Sequence, residues 1–204
     1  MSDQTPSPSS SSSSSSSPAP RPGPPGWLRL LVWGAAAGLL ALPAVAMRFT
    51  DEVRWDTFDF VVVGALLVGA ASVFEVAMRA SAGLGYRLAA GLAIAAGLLM
   101  TWANLAVGLM GPEDGVANKL LLLVPPVAVI GAVLARFRPR GMAATMLAVL
   151  ATQLVVGGVA LAEPPTTKGF GYPWHIIAVT CFFGCIWLLS AGLFRNAAED
   201  GRQG

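Results

Sequence analysis

Residues 102–118 read WANLAVGLMGPEDGVAN, from Trp102 to Asn118, and they decide the class of the fold. An apolar stretch of membrane-helix length ends here in a short acidic turn. At helical spacing Gly97, Thr101, Asn104, Gly108 and Gly111 follow one another at steps of four, three, four and three. That aligns small residues and one amide along a single seam, the pattern by which membrane helices approach closely. Gly111-Pro112-Glu113-Asp114-Gly115 then supplies residues that stop a helix and charges that hold a loop in water. The rest of the chain is expected to pack around this helix.

Composition agrees. The 204 residues are 55% hydrophobic and only 12% charged, with a mean hydropathy of +0.66. Soluble domains carry about twice that charged fraction. Runs of about 20 apolar residues are long enough to cross a hydrocarbon core of roughly 30 Å. A net charge of +2 with scattered arginines argues against a nucleic-acid partner. Cys181 and Cys185 fall inside one apolar run, so an extracellular disulfide is not expected.

Working outward, residues 1–26 form a Ser/Pro-rich tail with unbroken serine from Ser9 to Ser17, too polar to bury anything and expected to be disordered. Residues 27–195 form a transmembrane domain with spans expected at about 27–47, 60–78, 88–110, 120–135, 142–162 and 176–194, and 196–204 form a polar C-terminal tail. The first span contains Gly34 and Gly38 in G-x-x-x-G spacing. Its apolar centre followed by Ala44-Val45-Ala46 also fits a cleaved signal peptide, although the full spanning length and the long serine stretch ahead of it favour a retained helix. Pro125-Pro126 in the fourth span is expected to kink it or to force local 3₁₀ geometry.

Charge placement orients the bundle. Arg21, Arg29, Arg79, Arg87, Arg136, Arg138, Arg140, Arg195 and Arg202 fall on the side of the N-terminal tail; Arg48, Arg54, Lys119 and Lys168 fall on the other. Cations concentrate on the cytoplasmic side, so both termini are expected there. The fold class is therefore all-α: an integral membrane bundle of six transmembrane helices in three hairpins.

Four stretches carry a resemblance. They are Phe49-Thr50-Asp51-Glu52-Val53 with Trp55; Asn104 to Gly108 continuing to Glu113-Asp114 and Ala117-Asn118; Ala135 to Met142; and Trp187 to Ala191. Over about residues 41–195 the chain resembles a family of small polytopic membrane proteins of bacteria with no assigned activity. The resemblance implies a multi-pass protein of the bacterial inner membrane and carries no substrate with it.

Few residues suggest chemistry. One histidine, His175, excludes a bis-histidine haem site or a multi-histidine zinc site within one subunit. No H-E-x-x-H, P-loop, G-x-S-x-G or dinucleotide fingerprint occurs, so no enzyme, cofactor or catalytic residue is expected. Asn104 and Gln153, each within a span, need partners; they form interhelical hydrogen bonds, with each other as one pairing, or they line a solute path. Glu75, four residues before Arg79, either pairs with it or belongs to a proton relay. Cys181 and Cys185 share a helix face beside Gly184 and are expected in a tight seam. Asp51, Glu52, Glu113, Asp114 and Asn118 form an outer acidic cluster that binds a divalent cation if the two turns meet, or simply balances positive charge held inside. The expected function is a non-enzymatic structural or accessory membrane subunit whose partners are the lipid bilayer and a second copy or another membrane protein. The alternative is a small transporter or channel for an ion or small solute, with a path near Asn104 and Gln153.

Overall fold

A computed structural model describes residues 26–50, 54–80, 83–111, 115–163 and 172–203. The chain forms α1 (Gly26–Ala46), α2 (Thr57–Ala80), α3 (Leu84–Val107), α4 (Val116–Leu121), α5 (Val124–Leu134), α6 (Pro139–Ala162) and α7 (Trp174–Gln203), with no strand among the described residues. α4 and α5 together make one apolar stretch, so six segments among the described residues are long and apolar enough to cross a membrane. This is the architecture of a multi-pass membrane protein.

Local chemistry sets the helix ends. The Asp59 amide donates to Asp56 Oδ1 at 2.9 Å and the Asp56 amide to Asp59 Oδ2 at 3.0 Å, a reciprocal cap at the start of α2. α3 stops at Val107, three residues before the expected Met110, because Gly108 turns to φ 65°. Gly108 is therefore the residue that ends the helix. Pro125 and Pro126 sit in the first turn of α5. Lacking N–H groups, they cannot bond back to Leu121 and Leu122; α4 and α5 are separated there, and the Leu123 amide donates to Leu120 O at 3.0 Å, three residues back, the local 3₁₀ geometry expected of the pair.

The link from α5 to α6 is tighter still. The amide of Phe137 donates to Ala132 O at 3.0 Å and that of Arg136 to Val133 O at 2.9 Å, the two bonds of a Schellman motif. Arg136 (φ 50°) and Phe137 (φ 55°) take the left-handed conformation usually left to glycine. The Tyr86 hydroxyl on α3 donates to Phe137 O at 2.8 Å and ties this corner to the bundle.

α7 packs most extensively on α6 and next on α3. Its inward stripe is Phe183, Trp187, Ser190, Ala191 and Phe194, all buried. α5 packs on α6, α2 on α3, and α1 on α2. The centre is thus shared by α3, α6 and α7, whereas the sequence suggested α3 alone. Small residues set the closest approaches: a Cβ added at Gly131 would lie 2.5 Å from Thr145 Cγ2, and one at Gly157 would lie 2.8 Å from Thr180 Oγ1. The outer surface is apolar, with Leu30 76% and Leu134 78% exposed, as expected where the solvent is hydrocarbon.

Candidate functional site

Asn104 lies in the last turn of α3, not in mid-span, and it closes one end of the bundle. Its Nδ2 donates to Asn118 O at 3.0 Å, and its Oδ1 accepts the Leu109 amide at 3.3 Å. Asn118, on α4, does the reciprocal work: Oδ1 accepts the Met110 amide at 2.7 Å, and Nδ2 donates to Gly111 O at 3.2 Å. The Leu109 and Met110 amides and Gly111 O are backbone groups freed where α3 ends, and Asn118 O belongs to α4. Glu163, just past α6, adds a third piece by accepting the Ala117 amide at 3.1 Å in the first turn of α4. This clasp ties the ends of α3, α4 and α6 together. Asp51, Glu52, Glu113 and Asp114 of the expected acidic cluster lie outside the described residues. Among the described residues no three of His, Cys, Asp and Glu converge.

Gln153 does not pair with Asn104. It is fully buried on α6 and serves α7 instead: its Oε1 accepts the Trp187 indole N–H, and its Nε2 donates to Thr180 O at 3.2 Å. The carbonyl of a helical residue already accepts one bond, so Gln153 uses the second lone pair of Thr180 O. Close by, the Ser190 hydroxyl donates to Ala89 O at 3.0 Å and joins α7 to α3. The Thr180 hydroxyl, pressed against Gly157, is buried without a hydrogen-bond partner. Trp187, Ser190 and Thr180 were not singled out in the sequence. The step of four and then three from Phe183 to Trp187 to Ser190 was the signal available.

Glu75 forms two ion pairs. Arg79 Nη2 lies 2.6 Å from Oε1, one turn on, and Arg29 Nη2 from α1 lies 2.9 Å from the same oxygen. The second contact is not evident from spacing, since it joins residues 46 positions apart across two helices. α1 has no buried residue, and this ion pair and the Leu40 side chain against Gly64 are among its attachments to α2, with Leu28 packed against the core. Cys181 and Cys185 are exposed, while Gly184 between them is buried against Leu150. The cysteines face outward and not into the tight seam expected for them.

A cavity among the described residues is lined by none of Asn104, Gln153 and Glu75. It has a volume of about 400 Å³ and is walled by α2, α3 and α5, with Met142 and Met146 of α6 and Trp187 of α7 behind it. Ala65, Gly69, Ala93, Gly97 and Ala128 make it roomy because their side chains are small. Its one hydroxyl, on Thr101, is spent on its own helix, donating to Gly97 O at 2.7 Å. α2 and α5 make no extensive contact with one another, so the cavity is a groove open between them.

No protein-family model, curated protein or solved structure matches the chain.

Proposed function

We propose that the chain is a non-enzymatic integral protein of a bacterial inner membrane that acts as a structural or accessory subunit. Its spans form three hairpins with both termini in the cytoplasm, and it works with a second copy or another membrane protein. The observation that carries this reading is the state of the three candidate path residues. Asn104, Gln153 and Glu75 are each spent on the protein's own groups, in three separate places. A transport path needs polar groups that can exchange partners with a solute along one continuous water-filled route. Here the open space is an apolar groove, and the amides fasten one element to another. The excess of arginine on one side of the spans supports the orientation, and the family resemblance supports the bacterial membrane.

The decisive experiment is thiol accessibility at Gln153. With Cys181 and Cys185 changed to alanine, Gln153→Cys should stay unmodified by a membrane-impermeant maleimide applied to either face of membrane vesicles. Rapid modification would place water at the middle of α6 and establish the transporter alternative instead.

A further inference from the structure

The groove between α2, α3 and α5 has a definite length, width and charge. On α2 it runs from Ala65 to Ala77, and on α3 from Ala90 to Thr101. At the helical rise that is roughly 16–18 Å. Spread over this length, about 400 Å³ leaves a channel about 5 Å across. A transmembrane helix with side chains is roughly 10–12 Å wide, so a helix does not fit within it unless α2 and α5 move further apart. A single hydrocarbon chain does fit, because its carbons pack at roughly 3.5–4.0 Å from their neighbours on each side.

One end of this channel is cationic. Phe137 lines the groove, and Arg136 and Arg138 on either side of it in the chain are exposed. Among the described residues no carboxylate stands within ion-pair distance of either. The left-handed conformation at Arg136 and Phe137, tied down by Tyr86, fixes this arginine pair at the end of the groove. Arg79, engaged with Glu75, lies in the last turn of α2 two residues beyond the lining Ala77, and Arg87 precedes the lining Ala90 by one turn. All four arginines stand at the same end, so an amphiphile with a hydrocarbon tail and an anionic head matches the channel from end to end.

We propose that this groove is a specific site for one acyl chain of an anionic phospholipid, with its phosphate held by Arg136 and Arg138. Guanidinium groups suit this task because they bind phosphate oxygens in pairs. The site rests on the membrane placement of the helices and not on the accessory role. It therefore stands or falls separately from the accessibility of Gln153.

The test is native mass spectrometry of the full chain released from detergent, titrated with phosphatidylglycerol or phosphatidylcholine of identical acyl chains. One phosphatidylglycerol should be retained per chain and phosphatidylcholine several-fold more weakly. Arg136→Gln and Arg138→Gln should each weaken phosphatidylglycerol retention about fivefold. Gly69→Phe should abolish retention of both lipids while melting like the wild type, since a Cβ at Gly69 meets nothing within 4 Å. Ala65→Phe, at the opposite end of the groove, serves if Gly69→Phe fails to fold. Undiminished phosphatidylglycerol on a folded groove-filled variant would overturn the proposal, as would equal retention of the two lipids. A second copy of the chain, held in place of lipid and lost on filling the groove, would also overturn it.

Discussion

Gln153 offers the sharpest test of how this bundle is held together. Gln153→Leu keeps the side-chain volume close to native but removes two bonds at once, from the Trp187 indole and to Thr180 O. Trp187 is 1% exposed, so its N–H is left without water or another acceptor. Interhelical hydrogen bonds in membranes average about 0.6 kcal/mol and reach about 1.7. Two of them, together with a stranded buried donor, put the expected loss at about 2 kcal/mol. Trp187→Phe removes the same indole bond and part of the ring, and should cost roughly 2–3 kcal/mol. The double variant no longer strands the indole, so its loss should fall short of the sum by about 1 kcal/mol. Unfolding in mixed micelles titrated with SDS, followed by far-ultraviolet circular dichroism, reads all four proteins of the cycle. Additivity to within about 0.3–0.5 kcal/mol would refute the shared bond. An unchanged Gln153→Leu would refute its contribution altogether.

Other outcomes follow from the same contacts. Asn104→Leu and Gln153→Leu should combine additively, because the clasp and the α6–α7 bond have no partner in common; the same titration measures it. Gly157→Leu should cost about 1–3 kcal/mol by pushing Thr180 away, whereas Gly158→Leu, whose Cβ meets nothing within 4 Å, should melt at or above the wild-type temperature. Glu75→Gln should change global stability by no more than about 1 kcal/mol, since both arginines are more than half exposed. It should nonetheless loosen α1, which is read as a lower disulfide yield between cysteines placed at Leu40 and Gly64. A reporter active only outside the cytoplasm should give signal when fused at Lys168 and none at Arg138.

The spans were legible because hydrocarbon imposes one demand along the whole length of a helix. About 20 residues must be apolar, and no residue-by-residue partner need be known. Helix ends depend on single backbone angles, and there the sequence was read less well. Gly108 has the right identity for a packing seam and for a left-handed stop. The positive φ that marks the stop is not readable from residue type, and it accompanies the Asn104 and Asn118 bonds around the turn. Pro125-Pro126 was visible as a fault in the fourth span. Whether a proline pair bends or divides a helix depends on what receives the freed carbonyls, and that lies outside the local sequence.

The candidate site shows the same division between residue type and residue partner. That Asn104, Gln153 and Glu75 must each be satisfied inside the membrane follows from desolvation alone, and all three are. Which groups satisfy them does not follow, because an amide takes any donor or acceptor within reach. In a helical bundle the nearest are often backbone carbonyls and amides, which every residue carries and no motif marks. Asn104 accordingly found Asn118 O and the Leu109 amide, and Gln153 found Thr180 O. The groove lay beyond sequence reading for a further reason. It is a volume left where Ala65, Gly69, Ala93 and Ala128 from three helices face one another, and small residues mark close contact and empty space alike. Gly157, against Thr180, and Gly69, with nothing within 4 Å, are the same residue in opposite circumstances. Only the positions of the neighbouring helices separate a seam that excludes lipid from a channel that admits it.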